Sequence, residues 1–140
     1  MPSRIARALL CIAAALALSN CGAGLLSKGS PQTLPPLDAA KGRVIIYRTS
    51  SMGSTYIPDV LLNGVKVGRP SRPGVFFRDV PPGSYAVSTS MTPRVVNFAL
   101  AAGEKKYIRL TSGFFASQMV PELVDAATGE SESAGLSLQK

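Results

Sequence analysis

Few side chains in this sequence could do chemistry, and their spacing narrows the field further. No His is present, which removes imidazole acid–base catalysis and every His-containing metal site. A nucleophile would then need Lys, a carboxylate or an unusual base to activate it. Ser137 and Lys140 have S-x-x-K spacing, but 16 Ser and 6 Lys in 140 residues make one such match expected by chance. Between residues 42 and 126 the acids are Asp59, Asp79, Glu104, Glu122 and Asp125, and no two stand at catalytic or metal-ligand spacing. The residues therefore read as non-enzymatic, with no cofactor and no metal. Positive charge is the more promising feature. Lys66, Arg69, Arg72 and Arg78 fall within 13 residues, with no acid before Asp79. Arg meets phosphate bidentately, so these four are the candidate anion-binding residues, suited to lipid phosphate or an anionic glycan. The same charges also suit a solvated loop or the guarding of an edge strand.

The elements that must position these residues are β throughout. Arg43–Arg48 is a β-branched and aromatic run, and 58–62 and 65–67 flank Asn63-Gly64, a two-residue hairpin signal. Further runs cover 75–80, 84–89, 95–100 and 105–110. A last run over 118–124 is demoted to an edge strand by Pro121. About seven short strands at turn-punctuated spacing predict an all-β fold, a small antiparallel β-sandwich, with no helix of useful length. Tyr47, Tyr85 and Tyr107 are expected to pack with their polar tips exposed. Gly113-Phe114-Phe115-Ala116 reads as core, or as an apolar docking tip. The hydroxyl-rich loop at 50–55 carries no specific signal. Residues 42–126 form the domain, and 127–140 read as a flexible polar tail.

Upstream, residues 1–20 read as an export signal. Arg4 and Arg7 are followed by 11 apolar residues, Ala8 to Leu18. That run fits a signal-peptide hydrophobic region and is too short to span a bilayer. Leu18-Ser19-Asn20-Cys21 resembles the lipobox of bacterial lipoproteins, although Asn20 stands where Gly, Ala or Ser is usual. The resemblance implies lipidation of Cys21 and cleavage before it. Ordinary cleavage after Ala17 or Ala23 is the alternative. Removal of residues 1–20 discards Cys11 and lowers the formal charge of +7 by two, since Arg4 and Arg7 go with it. Residues 21–41 then form a lipid-anchored flexible linker, rich in Gly, Ser and Pro, spanning roughly 25 Å as a coil.

Four motifs follow in order behind that lipobox: Gly42 to Arg48, Asn63-Gly64 ahead of Val67-Gly68, Pro81-Pro82-Gly83-Ser84-Tyr85, and Ala102 to Arg109. Together they resemble a family of small bacterial envelope lipoproteins that carry a β-rich domain of unknown function. The resemblance implies a sandwich close to prealbumin-like or carboxypeptidase-regulatory-like modules, and brings no catalytic or binding residues with it. The expectation is a lipid-anchored, non-enzymatic interaction or structural module, held on the membrane through Cys21. Gly22 after Cys21 points, by analogy with Gram-negative sorting, to the periplasmic face of the outer membrane. An envelope protein is the expected partner, with anionic lipid or glycan on the 66–78 basic loop as the alternative. Nucleic acid is excluded for an exported chain. Oligomeric state is left open. Cys21→Ser should abolish incorporation of labelled palmitate, and incorporation that survives the substitution would refute lipidation at Cys21.

Overall fold

Asn63 and Gly64 take φ values of 49° and 79°, the left-handed pair that the two-residue hairpin signal anticipates. They join β2 (Val60–Leu62) to β3 (Val65–Gly68). This turn belongs to a computed structural model that describes residues 33–51, 55, 57–70, 73–113 and 118–140. The signal segment, Cys21, Arg72, the Phe114–Ala116 segment and most of the 50–55 loop lie outside the described residues. No helix among the described residues is long and apolar enough to cross a membrane.

The fold is a β-sandwich of two four-stranded sheets. One sheet has the order β4-β1-β7-β8, with β1 at Gly42–Arg48, β4 at Gly74–Val80, β7 at Lys105–Ser112 and β8 at Met119–Val124. The other has the order β3-β2-β5-β6, with β5 at Gly83–Thr89 and β6 at Thr92–Leu100. Pro121 in β8 and Pro93 in β6 both sit on edge strands, where a missing N–H breaks no ladder. All strand pairs are antiparallel except β1 with β7, which is parallel and sets Arg43 opposite Lys105.

Period-two alternation fills the space between the sheets. Val44, Ile46, Phe76, Ile108, Leu110 and Met119 from one sheet meet Val60, Leu62, Val87, Phe98 and Leu100 from the other. Thr89 Oγ1 donates to the Met119 carbonyl at 2.6 Å, a buried hydrogen bond that ties β5 to β8 across the core. Strand β1 departs from the half-exposed pattern: all seven of its residues are buried. Its alternate residues Ile45 and Tyr47 face outward into a second apolar cluster with Val75 and Tyr107. Leu34, Phe77, Val124 and Leu136 pack against that cluster.

The cover on this outer face corrects the expectation of a flexible polar tail over 127–140. Residues Ala126–Ser133 form a helix, α1, capped by Asp125, whose carboxylate accepts from the Thr128 amide at 2.9 Å. Its sequence, AATGESES, has no apolar stripe, so neither periodicity nor propensity announced it. What seats it is close approach: a Cβ on Gly129 would lie 2.2 Å from Cγ of Tyr107. Residues 136–139 then run to the edge of β4, where Val75 bridges to Leu138. The linker is likewise shorter than expected, because Leu34 and Leu37 are half-buried.

Gly129→Ala tests this seating. Helix propensity alone favours Ala by up to about 1 kcal/mol. The Tyr107 ring is buried and cannot give way, so the substitution should instead destabilise the chain by about 1–3 kcal/mol in urea unfolding.

Candidate functional site

Arg43 organises the outer face of the β1 sheet. It is 2% exposed, and a buried cation must be paired and hydrogen-bonded. Strand register places Asp79 opposite it on β4. Arg43 Nε donates to Asp79 Oδ1 at 2.6 Å and Nη2 donates to Oδ2 at 2.7 Å, a two-pronged contact. Its guanidinium carbon lies 4.3 Å from the centre of the Phe77 ring. The remaining prong, Nη1, donates to the Pro35 carbonyl at 2.7 Å. One side chain thus joins β1, β4 and the incoming chain.

Residues 34–37, so held, form one wall of an open cleft of about 440 Å³. Ile45, Val75 and Tyr107 line it from the sheet, and Leu136 and the end of α1 close the other side. The polar groups around it are turned to internal use. Tyr107 Oη donates to Glu130 Oε1 at 3.2 Å. Tyr47 Oη donates to Glu132 Oε2 at 2.5 Å, while Arg109 Nη1 donates to Glu132 Oε1 at 2.8 Å. Arg109 Nη2 also meets Glu122 on the paired strand at 2.9 Å. Burial, then the negative charge of Glu130, pushes the Tyr107 phenol up to about 12. Burial and the bond to Glu132 raise Tyr47 as well. Both phenols keep their protons through the physiological range and act as hydrogen-bond donors. Tyr47 and Tyr107 therefore depart from the expectation of exposed polar tips. Tyr85 is half-buried, with its hydroxyl bonded to the Pro81 carbonyl at 2.6 Å.

The sequence-selected cations lie elsewhere. Lys66 is on β3, and its Nζ is 2.9 Å from Asp59 Oδ1. Arg69, just past β3, places Nε 3.1 Å from the same oxygen. Two exposed cations therefore converge on one half-buried acid, and solvent around the cations keeps such pairs of small energetic value. Arg78, on β4, stacks over Phe76 at 5.8 Å and donates to the Phe77 and Val67 carbonyls. It thereby reaches β3, one residue from Lys66. Of the three described members, Lys66 and Arg69 are brought together, and Arg78 joins the two sheet edges.

Sequence reasoning missed Arg43, Arg109 and the acids of α1. Arg43 stood inside a strand run, but its partner lies 36 residues away and only the β1–β4 register reveals it. One signal was available: an unbroken apolar run at Val44–Tyr47 is what a strand covered on both faces carries.

No family model matches the sequence, and no curated protein matches it significantly. Among solved structures, the N-terminal domain of AlgF from P. aeruginosa is similar at 21% identity and a TM-score of 0.40. That likeness covers 62% of this chain and 96% of the other, and says nothing about function.

Asp79 yields a pH prediction. Its hydrogen bonds from Arg43, and then the charge of Arg43, hold its carboxyl below the usual 3.8. A depressed folded-state pKa contributes stability above the ordinary value, lost as pH falls through the depressed one. Asp79→Asn should therefore cost roughly 2 kcal/mol at neutral pH. The gap to the parent should close as pH falls below about 4, followed by urea unfolding at each pH.

Proposed function

We propose that this chain is a lipid-anchored module of the cell envelope that works by contact rather than catalysis. The observation that carries the reading is the fate of the half-buried and buried ionisable groups of the outer face. Arg43 is committed to Asp79, Arg109 to Glu122 and Glu132, Tyr107 to Glu130 and Tyr47 to Glu132. These groups serve the fold, and an active site needs at least some of them poised toward a substrate. The anchor would be Cys21, following its apolar run, with the resemblance to envelope lipoproteins in support. Arg43 clasps the chain at Pro35, so the tether would be the 12 residues from Gly22 to Thr33. Such a tether spans about 20 Å as a coil and roughly 40 Å extended. It would keep the sandwich close to the membrane, on the periplasmic face of the outer membrane if Gly22 sorts it there.

Crosslinking in intact envelopes tests this. The anchored chain should recover a protein partner, and Cys21→Ser should lose it. Recovery of no protein partner by the anchored chain would refute the contact role. A second reading, binding of anionic lipid or glycan at Lys66, Arg69, Arg72 and Arg78, is favoured by the single acid that Lys66 and Arg69 share. On that reading Arg69→Glu with Arg72→Glu should weaken retention on anionic vesicles in low salt at least tenfold, a loss that 0.5 M salt should mimic. Unchanged retention counts against it.

A further inference from the structure

The edge of β4 is already partly occupied. After α1 the chain returns to it, and the Val75 amide donates to the Ser137 carbonyl at 2.9 Å. The Gln139 amide donates in turn to the Val75 carbonyl at 2.8 Å. Leu138 lies beside Val75 in a parallel bridge, and Leu136 packs into the outer cluster. This is the bonding of an added strand, reduced to one rung. Val75 pairs with Tyr47 of β1, yet its own N–H and C=O point away from β1 and are left over for the strap. The period of two turns the backbone groups of Phe77 and Asp79 the same way. Past the strap these residues border a depression of about 400 Å³, lined also by Arg78, Leu138, Gln139 and Lys140. The Phe77 carbonyl there accepts at 2.8 Å from the exposed Arg78 side chain, a bond that an added strand would have to displace.

The strap is held lightly. Its backbone hold on β4 is one bridge with two bonds, beside a Gln139 side chain that packs against Gly74, and Leu138 remains 38% exposed. Gly135, between α1 and the strap, would have open space around a Cβ. Few buried contacts and a short hydrogen-bonded stretch mark the segments that open first.

We infer that the β4 edge is a strand-addition site for an extended segment of a partner protein, part of which residues 136–140 fill in the free chain. The seated strap defines the chemistry of that segment. It runs parallel to β4, bonds through its main chain, and carries apolar residues at alternate positions, as Leu136 and Leu138 do. It has no proline at the place of Gln139, whose N–H is used. This deepens the reading of the chain as a contact module, and rests on that reading for the existence of a partner.

The probe is a fluorescent peptide of residues 134–140, AGLSLQK. The host is the full chain with Cys21→Ser, so the outcome does not depend on the anchor. Leu136→Asp in the host loosens its own strap. The peptide should bind this loosened host at least tenfold more tightly than the host with Leu136 intact. Val75→Pro in the host should abolish binding, since the N–H it removes faces the strap and edge strands accept proline. N-methylation of the peptide at the Gln139 amide should do the same without altering the host. In the Cys21→Ser chain the Val75 amide should exchange with solvent at least tenfold faster than the amides of β1. Absence of binding, binding indifferent to N-methylation, or a Val75 amide as slow as those of β1 each overturns the proposal. A dimer of the loosened host that Val75→Pro abolishes would assign the edge to a second copy and overturn the partner-protein occupant. Failure of peptide binding would leave lipidation and partner capture, which are read out separately, untouched.

Discussion

Strand β1 is buried on both faces, and the rest of the molecule answers to that constraint. Its inward residues, Val44 and Ile46, are met by the second sheet, as in any sandwich. Its outward residues, Arg43, Ile45 and Tyr47, carry a charge, an aliphatic chain and a phenol that would each be costly to leave half-covered. The chain supplies a third layer for them from the segments that flank its strands, residues 34–37 and 126–139. Leu34 and Leu136 give that layer its apolar contact with the outer cluster, at roughly 25 cal/mol per Å² removed from water. Polar partners decide where it sits.

That division of labour explains the chemistry of the outer face. Helix α1 has almost no apolar surface of its own, so it is positioned by Gly129 against Tyr107 and by Glu130 and Glu132 reaching to Tyr107, Tyr47 and Arg109. Arg43 does the same for the incoming chain through the Pro35 carbonyl. Breaking one partner of such a contact leaves the other desolvated and unsatisfied, which costs more than the bond contributes when intact. The polar groups therefore act as locators for a cover that would otherwise slide over a greasy sheet. Each of these side chains is spoken for by a partner within the fold.

Most of the strands were legible because each announces itself locally. Asn63-Gly64 marks its hairpin through the φ > 0 requirement, Pro121 marks β8 as an edge, and alternation marks β5 and β7. The parallel pairing of β1 with β7 was not legible, since no short motif encodes a contact between residues some 60 apart. The helix was misjudged for a different reason. Thr128, Gly129, Ser131 and Ser133 are weak helix formers, and a polar composition ordinarily signals a tail. Tertiary contact overrode both. The basic cluster was legible as a count of charges, but their direction was not: Lys66 and Arg69 turn to Asp59 while Arg78 turns to backbone carbonyls.

By itself, the sequence determined the fold class, the strand positions, the charge surplus and the absence of imidazole, all of which depend on residue type and on neighbours a few positions away. The tertiary structure alone decided which charges are neutralised, that residues 127–140 belong to the fold, and that the β4 edge carries a strap. These depend on which strands lie side by side, and register is a property of the whole packed chain: Arg43 meets Asp79 only because β1 and β4 pair as they do.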